Sequence, residues 1–351
     1  MTIEASAPAK LVLLGEYAVL EGAPALVLAT AQRARVRIAP AGSGDSHLRS
    51  LPLSTHELRF HWSGDGRIEW RDDPGPEGRR RLRWLAGLLE ALAGLGWWPR
   101  EPVALEVDTT AFHADDGSKL GLGSSAALAV ALAGGGHHAA GMPPGNLTLD
   151  RLVDLHRGLQ GGRGSGVDVA ASLLGGLVRY RLVAGRPNAT ATTLPPGLAL
   201  LALASGHSVS TAAALERLEA WTETHTERWS VLRQGLREAA ERGCYTLEDD
   251  ASAFAAALAD YGRQLAALEE ATGIEIFGAA HARNHRLTRK QNVAYKPSGA
   301  GGDFGIAASA VPQRIASLRD AAARNGIMSS DIDACAPGLR VGASADAGER
   351  A

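Results

Sequence analysis

The sequence predicts an α+β protein of two domains, on three observations. Strand-like apolar runs and helical segments are mixed through residues 1–185, whereas helical periodicity dominates from residue 211 to residue 267. The composition shifts towards alanine, leucine and glutamate after the stretch Gly-Arg-Pro-Asn at residues 185–188. A chain of 351 residues with 45% hydrophobic content can bury a core in each of two domains. We therefore predict one domain over residues 1–185 and a second over residues 186–351.

The first domain is expected to combine strands and helices. Short apolar runs predict strands near residues 11–14, 25–28, 34–39 and 103–107. Helical spacing predicts helices near residues 82–95 and 126–138. The segment 72–80 is rich in proline, glycine and arginine, and this composition predicts a loop ahead of the first helix.

The second domain is expected to be mainly helical. Amphipathic periodicity predicts helices between residues 211 and 267 and again near residues 312–324. Apolar runs predict two short strands, at residues 198–204 and 304–308.

A glycine-serine loop is the most informative segment of the chain. Residues 118–126 read Ser-Lys-Leu-Gly-Leu-Gly-Ser-Ser-Ala and lead into the helix predicted at 126–138. Gly121 and Gly123 let the backbone bend sharply and bring its amides against an anion, at a helix start that adds partial positive charge. The predicted nucleotide-phosphate site comprises Lys119, Gly121, Leu122, Gly123, Ser124, Ser125 and Ala126. The Ser125 hydroxyl is our candidate ligand for a magnesium ion carried by the phosphates.

This loop has two other interpretations. It matches Gly-x-Gly-x-x-Ala, the dinucleotide fingerprint of a Rossmann unit, although it lacks the spacing of a Walker A loop. A Rossmann fingerprint follows directly on a buried strand, whereas here a polar stretch at residues 115–119 intervenes. We therefore favour a phosphate loop after a long connection. A glycine-rich turn that merely begins an ordinary helix is the structural alternative.

Two further segments extend the pattern. Residues 7–17 read Ala-Pro-Ala-Lys-Leu-Val-Leu-Leu-Gly-Glu-Tyr, and residues 296–303 read Lys-Pro-Ser-Gly-Ala-Gly-Gly-Asp. Together with the phosphate loop, in this order, they resemble the GHMP kinase superfamily, whose three motifs meet around one ATP-dependent phosphoryl-transfer site. The resemblance implies a GHMP kinase fold with its active site in the cleft between the domains, and ATP and Mg²⁺ as cofactors.

Within the superfamily, the motifs are most similar to those of phosphomevalonate kinases, which convert 5-phosphomevalonate to 5-diphosphomevalonate. Lys119 before the phosphate loop, the segment Gly-Ser-Gly-Val-Asp-Val-Ala-Ala-Ser at 164–172 and Asp303 after the third loop carry this similarity. The chain departs from the pattern at Ala9, where glycine is usual, and has one glycine fewer before Asp303. A mevalonate kinase, another GHMP small-molecule kinase and a non-catalytic GHMP-fold ligand-binding protein are the alternatives.

Two residues receive catalytic roles. Phosphoryl transfer asks a protein mostly for positioning and for neutralisation of charge. Lys10 can bridge the transferring phosphate, and Asp168 can orient or deprotonate the attacking oxygen. The resemblance places both residues in these roles. By residue type alone, the surface is the usual place for a lysine such as Lys10, and an acid that stabilises a helix start is as plausible for Asp168 as a catalytic acid.

The resemblance also implies an acceptor site, in which Glu16 and Tyr17 face the substrate. The predicted substrate-binding residues are Lys10, Glu16, Tyr17, Lys119, Ser165, Ser210, Thr211, Ser298, Gly299, Ala300 and Gly301. Ser210 or Thr211 can also cap the helix that follows. An acceptor that already carries a phosphate needs additional cations, and Lys119 is the first choice among Lys119, Arg163, Lys290 and Lys296.

The composition fits a soluble enzyme. Lysine plus arginine number 36 and aspartate plus glutamate 38, so the net charge of −2 gives no reason to expect nucleic acid or an anionic membrane as a partner. Cys244 and Cys335 have no zinc or redox spacing. We read His281 and His285 as surface residues. The expected protein is a cytoplasmic monomer or homodimer that acts on a small molecule.

Overall fold

The computed structural model describes residues 1–42, 44–52, 56–114, 117, 119–206, 209, 211–332 and 336–344. Within these ranges the chain builds two β-sheets with helices packed on them, which confirms the predicted α+β class. No helix in the described part of the chain is long and apolar enough to span a membrane.

The larger sheet belongs to the first half of the chain. Its strands there are β1 (Thr2–Leu14), β2 (Ala25–Pro40), β3 (Ser46–Leu51), β4 (Leu58–Trp62), β5 (Ile68–Trp70), β6 (Val103–Asp108), β7 (Leu177–Val183) and β8 (Arg186–Thr192). The sheet runs β1-β2-β6-β3-β4-β5, and β7 pairs with the first part of β2 while β8 pairs with β7. Only the β3–β6 pair is parallel among the described pairings of this sheet.

Four helices accompany this sheet in the described residues: α1 (Gly75–Gly94), α2 (Ser124–Ala139), α3 (Leu149–Gly158) and α4 (Val167–Leu174). The sequence of α2 is alanine- and glycine-rich because the helix is buried on nearly every side. A Cβ added at Gly136 would lie 2.6 Å from the carbonyl oxygen of Trp97, and one at Gly135 would lie 3.1 Å from the Cβ of Ala5. Small residues therefore let α2 lie deep in the domain, and they fix where its N-terminus points.

The loop predicted at residues 72–80 is wrong from residue 75 onwards, because α1 begins at Gly75. The first turn holds a proline, whose missing N–H and fixed φ suit that position. Asp73 accepts a hydrogen bond of 2.9 Å from the backbone N–H of Gly75, and Glu77 pairs with Arg80 and Arg81 on the following turn. The residues that read as loop-forming are thus those of a helix start.

The second sheet and its helices follow. The helices are α5 (Thr211–Thr224), α6 (Thr226–Tyr245), α7 (Ala251–Thr272), α8 (Gly278–Lys290) and α9 (Pro312–Arg324), and the strands are β9 (Ala199–Ala204), β10 (Ala294–Pro297), β11 (Phe304–Ser309) and β12 (Ser329–Asp331). All pairings in the order β10-β11-β9-β12 are antiparallel. The periodic stretch from 211 to 267 is divided into three helices, and Asp250 caps the third through a 2.8 Å bond from the N–H of Ala253.

The chain changes sheets after β8 and returns at its end. The predicted division at residues 185 and 186 falls in the turn between β7 and β8, whereas the second sheet starts with β9. Strand β13 (Arg340–Ser344) then pairs with β1, on the edge of the first sheet. The domain boundary at residue 186 stays a prediction, and the C-terminal strand is part of the first sheet.

Candidate active site

Lys10 lies on β1 and packs directly against the phosphate loop. Its backbone N–H donates a 3.0 Å hydrogen bond to the carbonyl of Leu122, and a Cβ added at Gly123 would lie 2.9 Å from Lys10 Cε. The residue is 8% exposed, because the loop covers the aliphatic part of its side chain. The surface-lysine alternative is therefore wrong for Lys10.

The phosphate loop ends where α2 begins. Gly121 and Gly123 have φ values of 63° and 79°, which side chains rarely adopt. Gly123 is the N-cap of α2 and offers no side chain to cap the first amides. These amides, with the positive end of the helix dipole, form the anion-binding geometry that the sequence predicts.

Asp168 lies in the first turn of α4 and faces Lys10. Its carboxylate Oδ1 is 3.7 Å from Lys10 Nζ, and about a third of its side chain is exposed, at 35%. Ser172, one turn further, donates a 2.9 Å hydrogen bond to the carbonyl of Pro8 and so ties α4 to β1 just before Lys10. Asp168 is thus both a helix-start acid and the partner of the predicted catalytic lysine.

The loop before Asp168 is held by a residue that the sequence analysis missed. Arg157 on α3 donates hydrogen bonds of 2.8 Å and 3.1 Å to the carbonyls of Gly164 and Ser165. Tyr180 on β7 donates a further bond of 2.5 Å to the Ser165 carbonyl. The Ser165 hydroxyl accepts from the N–H of Val167 at 3.3 Å, so this predicted substrate ligand also shapes its own turn.

Glu16 forms a buried ion pair with Lys296. Glu16 Oε1 lies 2.5 Å from Lys296 Nζ, and the two side chains are 3% and 0% exposed. Burial raises the pKa of Glu16 and lowers the pKa of Lys296, while their attraction opposes both shifts. Lys296 is therefore already paired with Glu16, and it is not the cation that would bind an acceptor phosphate.

The Glu16 carboxylate also joins the two domains. Its Oε1 accepts a 3.2 Å hydrogen bond from the N–H of Gly299 in the third glycine loop. Its Oε2 is buried and has no hydrogen-bond partner among the described residues. Glu16 lines the cavity as predicted, but one of its two oxygens is committed to positioning the third loop.

The third glycine loop is fastened to the end of β1. Tyr17 donates a 2.8 Å hydrogen bond to the carbonyl of Ala300, so its hydroxyl already has a backbone partner. The Ser298 hydroxyl donates to the carbonyl of Val12 at 3.1 Å and accepts from its N–H at 3.0 Å. Ser298 is thereby turned towards β1.

His281 fastens the same loop from the other side. The prediction that it lies on the surface is wrong: it is 2% exposed, and its ring nitrogens lie 2.6 Å from the Tyr295 hydroxyl and 2.8 Å from the Gly302 carbonyl. His285, one turn later on α8, is exposed as predicted. The burial of His281 depends on Tyr295 and Gly302, which lie 14 and 21 positions later in the chain, so no local pattern indicates it.

A cavity of about 280 Å³ lies where these elements meet. The predicted site residues that line it are Lys10, Glu16, Tyr17, Lys119, Gly121, Gly123, Ser124, Ser125, Ser165, Asp168, Thr211, Gly299 and Ala300. Four others, Leu122, Ala126, Ser298 and Gly301, lie behind this lining, and Ser210 lies outside the described residues. Both domains therefore contribute to one hollow.

The cavity suits a phosphate-bound cation. Magnesium prefers oxygen ligands and takes many of them from water and phosphates. Ser125, Asp168 and Asp303 offer oxygens at the lining, while no three acidic, histidine or cysteine side chains cluster as a metal site within the described ranges. The residues fit a magnesium ion that arrives with a nucleotide, and they do not by themselves form a closed metal cage.

His156 is a second residue that the sequence analysis missed. It is buried on α3, with Nε2 3.4 Å from the Ser125 hydroxyl and 3.3 Å from the Gln160 amide. Burial lowers its pKa, so the neutral ring is favoured and can accept a hydrogen bond from Ser125. No local motif marks His156, because its partner lies 31 positions earlier in the chain.

The chain is similar to several known proteins. Residues 88–176 match the family described as GHMP kinases N terminal domain. The chain is 29% identical over 336 residues to the phosphomevalonate kinase of Streptomyces sp. strain CL190, which covers 87% of this chain and 89% of that protein. It is 30% identical over 177 residues to the mevalonate kinase of Pyrococcus horikoshii, with 50% of each protein covered.

Two solved structures share the fold. The Lin0012 protein from Listeria innocua has a TM-score of 0.82 at 19% identity, over 98% of this chain and 100% of that chain. Streptococcus pneumoniae phosphomevalonate kinase in complex with phosphomevalonate and AMPPNP has a TM-score of 0.71 at 18% identity, over 95% of this chain and 100% of that chain. These matches confirm the predicted fold.

Proposed function

Because the chain belongs to the GHMP kinase superfamily, we propose that it transfers the γ-phosphoryl group of ATP to 5-phosphomevalonate, giving 5-diphosphomevalonate. The observation that carries the proposal is the Lys10–Asp168 pair, which lies beside a helix-initiating Gly-Ser loop in one cavity between two domains. The choice of 5-phosphomevalonate is supported by the Streptomyces phosphomevalonate kinase, which this chain resembles over most of its length.

We assign the polyphosphate of ATP to the N-terminus of α2. The uncapped amides after Gly123 and the hydroxyls of Ser124 and Ser125 are the donors available there. Magnesium, when bound, neutralises charge on the phosphates, and Ser125 is the protein oxygen that we expect it to meet. His156 directs the Ser125 hydroxyl by accepting a hydrogen bond from it, which leaves the oxygen lone pairs turned towards the cavity.

Lys10 and Asp168 act on the transferring and attacking groups. Lys10 neutralises charge as the phosphoryl group passes between donor and acceptor. The attacking atom of a phosphorylated acceptor is a phosphate oxygen, which is mostly ionised at neutral pH because the second pKa of such a group is about 6. Most acceptor molecules therefore carry no proton on the attacking oxygen for Asp168 to remove, and Asp168 acts mainly by orienting Lys10 and the acceptor. A hydroxyl acceptor would instead require Asp168 as a general base.

The test is ADP release by the purified protein with MgATP and, separately, 5-phosphomevalonate, mevalonate or no acceptor. Turnover with 5-phosphomevalonate alone is the expected result. Turnover with mevalonate alone would keep the mechanism and reject the acceptor assignment. Tight ATP binding without turnover on any acceptor would favour a non-catalytic GHMP-fold protein.

Mevalonate is the second candidate acceptor, since mevalonate kinases match about half of this chain at a similar identity. A non-catalytic role has less support. Ala9, which stands where the family pattern has glycine, is extended in β1 opposite Thr30 and has no positive φ that would require glycine. The substitution therefore leaves the position of Lys10 intact.

A further inference from the structure

Arg163 bridges the two domains at the mouth of the cavity. Its guanidinium contacts two acids of α5, with Nη1 2.6 Å from Glu216 and Nη2 3.5 Å from Glu219. Arg163 itself belongs to the loop between α3 and α4, five residues before Asp168. We propose that Arg163 is a switched cation, which pairs with Glu216 and Glu219 until its guanidinium transfers to the phosphate of an acceptor that binds. This inference rests on the proposed phosphorylated acceptor.

The other cations near the site are less suited to this role. Lys296 is fully buried against Glu16, and Lys290 is exposed at the end of α8 and does not line the cavity. The guanidinium of Arg157 donates its hydrogen bonds to the carbonyls of the loop before Asp168. Lys119 and Arg163 remain as cations that line the cavity and have an exposed head group.

The position of Arg163 suits the distal end of an acceptor. A second hollow of about 420 Å³ adjoins the cavity and lies against α5. The two hollows share Tyr17, Leu20, Arg157, Arg163, Gly164 and Leu215 in their linings. Arg163 thus stands at their border, where it can meet the end of an acceptor whose other end faces Lys10 and Asp168.

The ion pair is of a kind that a ligand can displace. The side chain of Arg163 is 43% exposed and those of both glutamates are 60% exposed, so water screens their attraction and the pair adds little to stability. A phosphate carries a charge of about −1.5 to −2 and offers the guanidinium two oxygens at once, whereas Glu216 accepts one hydrogen bond and Glu219 lies 3.5 Å away. Exchange from carboxylate to phosphate is therefore favourable.

The helix that carries the two glutamates is weakly anchored. Among the 14 residues of α5, only Ala214 and Leu218 are buried. Its N-terminal residue Thr211 and the half-buried Leu215 line the cavity. Release of Arg163 would free α5 to adjust over the acceptor, because few buried contacts oppose a shift of this helix.

The transfer of Arg163 from glutamate to phosphate is tested by replacing each side of the ion pair, because the two replacements should change KM for 5-phosphomevalonate in opposite directions. Arg163→Gln should raise KM for 5-phosphomevalonate roughly ten- to hundredfold, as expected when a hydrogen bond to a charged group is lost, and leave KM for ATP unchanged. Arg163→Lys should recover part of the loss. Glu216→Gln with Glu219→Gln should lower KM for 5-phosphomevalonate by about two- to fivefold, because a weak competitor for Arg163 is removed.

A matched control is Arg181→Gln. Arg181 on β7 pairs with Glu241 on α6 at 3.3 Å, and neither residue lines either hollow, so this variant should leave both KM values unchanged. A rise in KM for both Arg163→Gln and the double glutamate variant would mean a purely structural latch and would overturn the inference. So would an unchanged KM in Arg163→Gln. If the unmodified protein turns over mevalonate and not 5-phosphomevalonate, the proposed function itself fails first.

Discussion

The carboxylate of Asp303 occupies the space that a side chain at Gly121 would need. A Cβ built on Gly121 would lie 1.8 Å from Asp303 Cγ. Gly121 belongs to the phosphate loop of the first domain and Asp303 to the third glycine loop of the second, so the domains meet across this contact. Asp303 has a φ of 42°, after positive φ values at Gly301 and Gly302. The chain has one glycine fewer here than the family pattern, and the aspartate adopts the turn conformation itself.

Gly121→Ala should therefore damage the nucleotide site. The new methyl group meets Asp303, and alanine disfavours the φ of 63° at this position, so the phosphate loop must shift. We expect a higher KM for ATP and lower kcat, with a reduced melting temperature. Steady-state kinetics measure KM and kcat, and thermal unfolding measures the melting temperature.

Gly94→Ala is the matched control for that change. Gly94 is the exposed last residue of α1, and a Cβ there meets nothing within 4 Å. Alanine is favoured over glycine in helices by up to about 1 kcal/mol, so stability should hold or rise slightly and the kinetics should not change. Wild-type KM for ATP in Gly121→Ala would show that the loop does not hold the nucleotide.

Asp168→Asn should cut turnover without harming the fold. Asparagine keeps the shape of the side chain but removes the charge that faces Lys10 at 3.7 Å. We expect kcat to fall roughly a hundredfold or more, because Lys10 and the acceptor lose the charge that orients them, with ATP affinity retained. Single-turnover kinetics and nucleotide titration separate the two quantities. Near-normal kcat would remove Asp168 from the mechanism.

Much of this site is visible in the sequence, because its parts are contiguous motifs. The phosphate loop leads into the predicted helix, and Lys10 directly precedes the strand predicted at residues 11–14. Other contacts depend on distant partners: Glu16 and Lys296 are 280 positions apart, and nothing near either residue reveals the pair. The burial of His281 likewise depends on Tyr295 and Gly302, which only the folded chain brings to α8.

Lys119→Ala tests the first-choice cation for the acceptor phosphate. Lys119 is exposed at the cavity lining, where its own backbone forms an antiparallel β-bridge with His113. We expect KM for 5-phosphomevalonate to rise roughly tenfold or more, since a charged contact is lost, while KM for ATP stays nearly constant. A rise in KM for ATP instead would assign Lys119 to the nucleotide.

The free energy of unfolding should fall far more when one member of the buried pair Glu16–Lys296 is replaced than when both are replaced. Lys296→Met leaves the Glu16 carboxylate buried without its cation, and loss of one partner of a buried pair costs about 3–5 kcal/mol. Lys296→Met with Glu16→Gln removes both charges and should recover most of that loss. Urea unfolding of the two single variants and the double variant measures the coupling.

The same variants separate stability from catalysis. Glu16 Oε1 also holds the N–H of Gly299, so the double variant should regain stability while its third glycine loop stays less well positioned. We therefore expect the double variant to unfold at nearly the wild-type urea concentration but to keep a raised KM for 5-phosphomevalonate. Recovery of both quantities together would mean that the carboxylate matters only as the counter-charge of Lys296. If neither the stability nor KM recovers in the double variant, the amide introduced by Glu16→Gln does not fit the space of the Glu16 carboxylate. Glu16→Asp with Lys296 retained would then decide whether the charge or the shape of the side chain fixes the third glycine loop.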